Sequence, residues 1–309
     1  IIVPTYNRSE DLKDFIESLL KQTVLPDELI IVDDGNLSEI PLKEECLNVG
    51  ILPVYFKKDT PGLTASRNEG IKLAKGDIVF FFDDDIVLSP QYIEKVLKVY
   101  SDDKDGVIGG VSGRDMNLSP MKFKKRLRRL LDIIFLISGL SEGKVLPSGF
   151  CTEYGVVGNK PLERSEVDFL SGCSFSFRKE VFNYFLFDTK WFLNYGMGED
   201  KDFSYRVSRK YKLVYEPSAE LLHNHSPLMR PNHEKTGRMF VLFMHTFHTR
   251  YGKKGIIGKL LYYYALSGYI LIKAIIVALT RKKYVYQYLK GMFKAIGDIM
   301  RNGNVVIKE

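Results

Sequence analysis

The apolar and polar positions of the first 113 residues follow two alternating patterns. Short apolar runs in "IIVPTY", "ELIIVDDG", "ILPVYFK" and "DIVFFFDDD" predict strands, since each is brief and ends at turn residues or acids. Between them, "SEDLKDFIESLLKQ" has apolar residues at helical spacing, and "TASRNEGIKLAKG" and "SPQYIEKVLKVY" also predict helices. Strands that alternate with helices indicate an α/β fold, a mostly parallel sheet with helices on both faces.

The alternation stops at residue 114 and resumes later. Residues 114–165 combine a basic segment, an apolar segment and glycine-rich sequence, which indicates an insertion. Strand and helix patterns return over 166–235, and residues 236–309 are aromatic, apolar and basic. We therefore predict a main domain over 1–235, with halves at 1–113 and 166–235 on either side of the insertion, followed by a helical extension over 236–309.

Acidic residues follow two of the predicted strands. Asp33 and Asp34 end "IIVDDG", and three adjacent acids, Asp83 to Asp85, end "DIVFFFDDD". Ligands of parallel α/β sheets bind at the carboxyl ends of strands. Asp83 and Asp85 would share a face of an extended segment, and two converging carboxylates suit Mg²⁺ or Mn²⁺. A solvated acidic turn is the alternative that this short motif leaves open on its own.

Three further motifs accompany the acids: "PTYNR" at 4–8, "GLTASRNEGI" at 62–71 and "GED" at 198–200. In this order and spacing, over residues 1 to about 230, the chain resembles the inverting family 2 glycosyltransferases of the Rossmann-like GT-A fold. The resemblance implies transfer of a sugar from a UDP-, dTDP- or GDP-sugar to a saccharide or polyprenyl-linked acceptor. It also implies dependence on Mn²⁺ or Mg²⁺. In such a catalytic domain over 1–235, the half at 1–113 would bind the nucleotide sugar and the half at 166–235 the acceptor.

The resemblance assigns a donor-binding role to ten residues, of which Asp33 would accept a hydrogen bond from the base and Asp83 would hold the ribose or a metal-bound water. These residues are Pro4, Thr5, Tyr6, Arg8, Asp33, Asp34, Arg67, Asp83, Asp84 and Gly172. Asp84 should point away from its two neighbours and be the most replaceable of the three acids.

The remaining roles concern metal, base and acceptor. The resemblance implies that Asp85 and Asp83 bind the metal and that His225 completes its shell. His223 is the less favoured candidate for this position, and a solvent-facing loop histidine is the alternative. Asp200 would be the catalytic base, or otherwise an acid that stabilises a helix N-terminus. Trp191 and Glu199 would contact the acceptor, with a core aromatic as the alternative for Trp191.

Positive charge is concentrated in two segments. The formal net charge is +7, but "MKFKKRLRR" at 121–129 contains no acid, and the chain from Tyr251 onwards is strongly basic. Basic residues beside apolar runs are typical of helices that lie on anionic lipid. We expect 121–140 and 256–283 to contact the cytoplasmic face of the cell membrane, as a peripheral or monotopic protein. A buried helix or a true span remains possible for 256–279.

Other partners and classes fit less well. No nucleic-acid-binding module is present in the sequence, so we expect no nucleic acid partner. A sugar-1-phosphate nucleotidyltransferase would need a glycine-rich loop where "PTYNRSEDL" stands. A polyprenyl-phosphate monosaccharide synthase and a non-catalytic carbohydrate-binding membrane protein stay as alternatives. Three cysteines without metal-type spacing indicate a reduced environment.

Overall fold

The computed structural model describes residues 1–117, 123–153, 163–193, 196–228, 231–303 and 307–308. The chain forms two compact units. The first contains Ile1–Ser119, Pro161–Thr189 and Glu199–Arg230, and the second contains Pro120–Lys160, Lys190–Gly198 and Pro231–Glu309. The predicted boundaries at 113, 165 and 235 stay predictions. The contacts group 120–160 with the C-terminal helices, whereas the sequence suggested an insertion in the catalytic domain.

Strands and helices alternate through the first 115 residues of the first unit, as the sequence predicts. They are β1 (Ile2–Thr5), α1 (Ser9–Leu19), β2 (Glu28–Asp33), α2 (Lys43–Asn48), β3 (Leu52–Lys57), α3 (Leu63–Leu73), β4 (Ile78–Phe82), β5 (Ile86–Leu88), α4 (Tyr92–Asp102) and β6 (Ile108–Asp115). After the second unit's first segment come β7 (Ser165–Val167), β8 (Ser174–Arg178), a 3₁₀ turn (Lys179–Asn183), α6 (Glu199–Ser208) and β10 (Lys212–His223).

Nine strands within the described ranges form one sheet in the order β3-β2-β1-β4-β8-β6-β10-β5, with β7 added along β10. The pairs β3–β2, β2–β1, β1–β4 and β6–β10 are parallel. Strand β8 runs antiparallel to both β4 and β6, and β5 and β7 run antiparallel to β10. The predicted fold class, a mostly parallel α/β sheet, is confirmed.

Helical spacing decides which side of each helix faces the sheet. In α1 the buried apolar residues are Leu12, Phe15, Ile16 and Leu19, which recur at the three- and four-residue intervals of one helical face. They belong to a core with the buried side chains of the central strands. This packing fixes the strand ends, and therefore the acids that follow them.

The second unit is mainly helical. It contains α5 (Phe123–Ile134), β9 (Phe192–Leu193), α7 (His233–Tyr251), α8 (Gly255–Thr280), α9 (Lys283–Asn302) and β11 (Ile307–Lys308). Two glycines let α7 and α9 approach closely: a Cβ on Gly237 would lie 2.0 Å from the Tyr288 carbonyl oxygen, and one on Gly291 would lie 1.9 Å from that of Glu234. Larger residues at these two positions would push the helices apart.

Helix α8 is apolar on both its buried and its exposed face. Its buried face includes Tyr262, Ala265 and Leu266, while Ile256 and Leu260 are 76% and 63% exposed. It packs on α5, since the Tyr264 hydroxyl donates to the Ile134 carbonyl at 3.1 Å. Among the described residues it is the one helix long and apolar enough to cross a membrane, and 28% of its most apolar window is buried.

Candidate active site

The strand end after β4 brings three acids into one turn. Strand β4 is apolar and lies between β1 and β8, and the chain then passes through Asp83, Asp84 and Asp85 into β5. The Asp83 N–H donates to the Cys173 carbonyl at 3.1 Å, which fixes the turn against the start of β8. The Asp83 side chain is 31% exposed, whereas those of Asp84 and Asp85 are buried. The three acids therefore have different surroundings.

The Asp84 side chain is buried and hydrogen-bonded to two other side chains. Its carboxylate accepts hydrogen bonds from the Thr5 hydroxyl at 2.8 Å and from Arg8 Nη1 at 3.0 Å. Burial raises the pKa of Asp84 to about 7, although the Arg8 guanidinium opposes the shift. These contacts argue against the expectation that Asp84 is the most replaceable of the three acids, because its loss would leave Thr5 and Arg8 without this partner.

Asp85 lies beside a histidine from a distant strand. Antiparallel pairing of β10 with β5 sets His223 opposite Ile86, so the imidazole comes next to Asp85. His223 Nε2 lies 3.0 Å from Asp85 Oδ1, and the Ser226 N–H donates to Oδ2 at 2.9 Å. Burial opposes ionisation of both groups, but their attraction dominates: it lowers the pKa of Asp85 and raises that of His223 to about 10.

Asp83, Asp85 and His223 form a possible metal site. One ligand atom from each lies within 4.8 Å of the others. His223 Nε2 is buried and has no partner with hydrogen-bond geometry among the described atoms, although it lies close to the Asp85 carboxylate. A divalent cation bound here would replace the proton that His223 carries at neutral pH. Two carboxylates with one imidazole suit Mn²⁺, or Mg²⁺ through the oxygens. The residues present therefore fit a divalent metal.

His225 occupies a different position from the one expected. It is exposed, and it groups with Asp115 and His223 rather than with Asp83 and Asp85. Its ring centroid lies 4.0 Å from that of His223. The sequence favoured His225 as the third metal ligand, whereas the structure brings His223 to the two carboxylates.

Arg67 connects the acidic turn to the start of α6. Its guanidinium is almost fully buried and donates from Nη1 to Glu199 Oε1 and from Nη2 to the Gly172 carbonyl, each at 3.0 Å. Nη2 also lies 3.5 Å from Asp83 Oδ1. One cation thus links residues that are far apart in the sequence and brings the two acidic motifs into a single site.

Asp200 lies in the first turn of α6 beside Gly172. The Gly172 N–H donates to Asp200 Oδ2 at 2.9 Å, and a Cβ on Gly172 would lie 2.8 Å from the Asp200 Cβ. Only glycine therefore allows this approach. Burial and the neighbouring Asp200 raise the pKa of Glu199, which pairs with Arg67, while Asp200 is only half-buried.

Residues 1–185 match the sequence model of a family described as Glycosyl transferase family 2, which spans more than half of the chain. The chain belongs to glycosyl transferase family 2.

Curated family 2 relatives align with part of the chain. An uncharacterized glycosyltransferase, YwdF of Bacillus subtilis, is 39% identical over 98 residues, which cover 32% of this chain and 36% of that protein. A glucosyl-dolichyl phosphate glucuronosyltransferase of Haloferax volcanii is 33% identical over 114 residues, which cover 36% of each chain. The aligned part is thus only about a third of the length of these relatives.

Solved structures match nearly the whole chain. The crystal structure of S. aureus TarS 1–349 has a TM-score of 0.55 at 15% identity, covering 97% of this chain and 79% of that one. The mannosyltransferase PcManGT from Pyrobaculum calidifontis, in complex with GDP-Man and Mn²⁺, also gives 0.55, at 12% identity, covering 97% and 85%. Together with the mostly parallel sheet, these likenesses show the GT-A fold that the sequence suggests.

The other acidic strand end of this family 2 chain is fully engaged by the protein. Asp33 accepts from the N–H groups of Gly35 and Leu37 at 2.7 and 3.0 Å, and from the Tyr55 hydroxyl at 2.8 Å. Burial opposes ionisation of Asp33, but these hydrogen bonds lower its pKa. Asp34 accepts from the Gly62 N–H at 2.9 Å. Contact of Asp33 with a nucleotide base stays a prediction.

Three further predicted residues of the family 2 site belong to β1, to the turn after it and to the second unit. Pro4 is buried in β1, and Tyr6 is half-buried in the turn after it. Trp191 lies in the second unit, where the Arg250 guanidinium carbon is 4.9 Å from the centre of a ring of the Trp191 indole. An acceptor-binding role for Trp191 therefore stays a prediction.

The sequence did not indicate all the residues at this site. His223 was the less favoured of two candidate histidines, and Asp115 and Ser226 were not singled out. One feature of the sequence could have favoured His223, namely its position at the end of a strand. Strand pairing then decides the direction of its side chain. For Asp115 the only signal was its position at the end of β6.

Proposed function

We propose that this family 2 protein transfers a sugar from a UDP-, dTDP- or GDP-sugar to a hydroxyl of a saccharide or polyprenyl-linked acceptor, with inversion and metal dependence. The observation that carries the proposal is the position of Arg67, which contacts Asp83 on one side and Glu199 and the Gly172 carbonyl on the other. Gly172 in turn holds Asp200. A cation-binding group and a candidate base therefore belong to one site.

Asp200 is the proposed general base. Its carboxylate would accept the proton of the acceptor hydroxyl while that oxygen bonds to the anomeric carbon. The bond from this carbon to the diphosphate breaks on the opposite face, so a single displacement inverts the configuration. The Gly172 N–H, which donates to Oδ2, orients the carboxylate for this role.

Asp83, Asp85 and His223 would hold the divalent metal. When bound, such a cation stabilises negative charge on a diphosphate leaving group. The buried Arg67 guanidinium adds fixed positive charge beside Asp83. The fold likeness to a mannosyltransferase bound to GDP-Man and Mn²⁺ supports a nucleotide-sugar donor and this metal.

Contact with an anionic membrane would bring the protein to a lipid-linked acceptor. In α5, Leu127, Leu130 and Ile134 are exposed at helical spacing, and α8 exposes a second apolar face in the same unit. Residues 121–122 of the predicted basic segment lie outside the described residues. The relative named for a glucosyl-dolichyl phosphate substrate supports a polyprenyl-linked acceptor. We infer a surface contact at the cytoplasmic face, through 121–140 and 256–283.

A donor screen and one variant test this function. UDP-, dTDP- and GDP-sugars are tested for thermal stabilisation and hydrolysis with Mn²⁺ or Mg²⁺. Asp200→Asn should keep donor binding and lower transfer about 10²- to 10⁴-fold, the usual contribution of a general base. Asp202→Asn is the control, since Asp202 lies in the same helical turn but pairs with Arg206.

Two outcomes would contradict the proposal. If no nucleotide sugar binds or is hydrolysed with either metal, the chain is not the proposed transferase. If Asp200→Asn transfers sugar as well as Asp202→Asn does, Asp200 is not the base.

A further inference from the structure

The second unit contains a cavity where α7 ends and α8 begins. Its volume is about 270 Å³, and its lining includes His245, His248, Lys253, Lys254, Lys259 and Tyr262. All of these residues lie in the second unit, and the cavity does not share a residue with the candidate active site. Nothing in the proposed sugar transfer requires it.

The cavity carries positive charge without acids. Its lining includes three lysines and no Asp or Glu, and none of these lysines forms an ion pair within the described part of the chain. Lys254 Nζ donates to the carbonyls of Thr249 and Arg250, which places its charge at the C-terminal end of α7. Burial lowers the pKa of His245 and His248, so the lysines supply the charge near neutral pH.

The start of α8 adds donors at the same place. The helix begins at Gly255, which lines the cavity, and its N-cap residue Lys254 makes no side-chain capping hydrogen bond. A Cβ on Gly258 would lie 1.5 Å from the Lys253 carbonyl oxygen, so only glycine lets the lysine-bearing loop pack on the first turn. The first N–H groups of a 26-residue helix and its positive dipole end favour an anion here.

An independent observation is the hydroxyl of Tyr262. This residue lines the cavity and is 2% exposed, and its hydroxyl has no hydrogen-bond partner among the described atoms. Its ring stacks on that of His248 at 4.7 Å, which fixes its position. A buried hydroxyl without a partner is costly, so a donor held in this way indicates a ligand with acceptor oxygens.

The surroundings indicate that the anion belongs to a lipid. Tyr263, which also lines the cavity, is exposed, and so are Ile256 and Leu260 on the same two turns of α8. An anion in the cavity would thus have apolar side chains beside it. We propose that this cavity binds the phosphate group of an anionic membrane lipid. The inference rests on the proposed membrane contact and is independent of sugar transfer.

Vesicle binding and phosphate binding test the two possible sources of phosphate. Flotation with phosphatidylglycerol vesicles, with phosphatidylcholine vesicles as reference, measures lipid binding, and calorimetry with inorganic phosphate and pyrophosphate measures free anions. One double variant, Lys253→Gln/Lys259→Gln, changes the cavity, and a second, Lys282→Gln/Lys283→Gln, is the control. The first should lower vesicle binding at least tenfold more than the second. The second pair removes the same charge after the other end of α8.

Tyr262→Phe removes only the hydroxyl. Because that hydroxyl has no partner among the described residues, the variant should fold normally and bind phosphatidylglycerol vesicles roughly fivefold more weakly, the effect of one hydrogen bond. Equal losses for the two lysine pairs, or unchanged binding by Tyr262→Phe, would overturn the proposal in favour of diffuse charge.

If the cavity binds a free anion instead of a lipid, the two binding measurements should disagree. Phosphate or pyrophosphate binding that is lost in the cavity variants, while their vesicle binding is unchanged, would overturn the assignment to a lipid. Donor hydrolysis is measured on the same variants and should be unaltered. A failure of this inference is therefore distinct from a failure of the proposed sugar transfer.

Discussion

Strands β2 and β4 lie on either side of β1, and acids follow both of them. The two groups of acids have different hydrogen-bond partners and different exposure. At β2, both Asp33 oxygens accept hydrogen bonds from the loop that follows, and the side chain is fully buried. At β4, Asp85 lies 3.0 Å from the buried Nε2 of His223, and Asp83 is partly exposed. The comparison indicates that the first strand end stabilises a loop, whereas the second is arranged for a cation.

The largest expected effect on stability is at Asp33. Asp33→Ala should lower the free energy of unfolding by about 3 kcal/mol, because it leaves the Gly35 and Leu37 N–H groups without an acceptor. Urea denaturation of metal-free protein measures the change. Asp59→Ala is the control, since Asp59 is exposed nearby and should change stability by less than about 0.5 kcal/mol. A loss of Mn²⁺ affinity in Asp33→Ala, with stability intact, would reverse the comparison.

A smaller effect is expected at Glu199, which belongs to the second acidic group. Its pKa is raised in the folded protein by burial and by Asp200. The folded state therefore binds more protons than the unfolded state above the ordinary glutamate pKa, and the free energy of unfolding falls as pH rises through this window. Between pH 5 and 7 the fall should be about 2 kcal/mol, because the pKa of Glu199 is about 7 in the folded protein.

Glu199→Gln tests whether Glu199 causes this fall in stability with rising pH. The variant should show a flatter dependence of the free energy of unfolding on pH, whatever its stability at a single pH. An unchanged slope between pH 5 and 7 would show that Glu199 is ionised throughout in the folded protein, as its pairing with Arg67 alone would favour.

Much of the fold could be predicted from the sequence, because local patterns determine it. The spacing of Leu12, Phe15, Ile16 and Leu19 reports the buried face of α1, and the run "DIVFFF" reports a central strand. The acids at the strand ends could be located for the same reason.

The partners of those acids could not be predicted, because strand pairing and long-range contacts decide them. Asp84 contacts Thr5 and Arg8, which are 79 and 76 positions away, so its burial left no local signal. The choice between His223 and His225 depends on the register of β10 against β5. For the same reason, the hydrogen bonds from the following loop to both Asp33 oxygens could not be predicted.

Binding of Mn²⁺ tests the central comparison most directly. Titration is followed by the electron paramagnetic resonance of free Mn²⁺, with and without a nucleoside diphosphate, for the wild type, His223→Ala, His225→Ala and Asp33→Asn. His223→Ala should weaken binding at least about tenfold, because a ligand is lost, while the other two variants should stay within about twofold. Equal or greater weakening by His225→Ala or Asp33→Asn, or no Mn²⁺ binding by the wild type, would contradict the account.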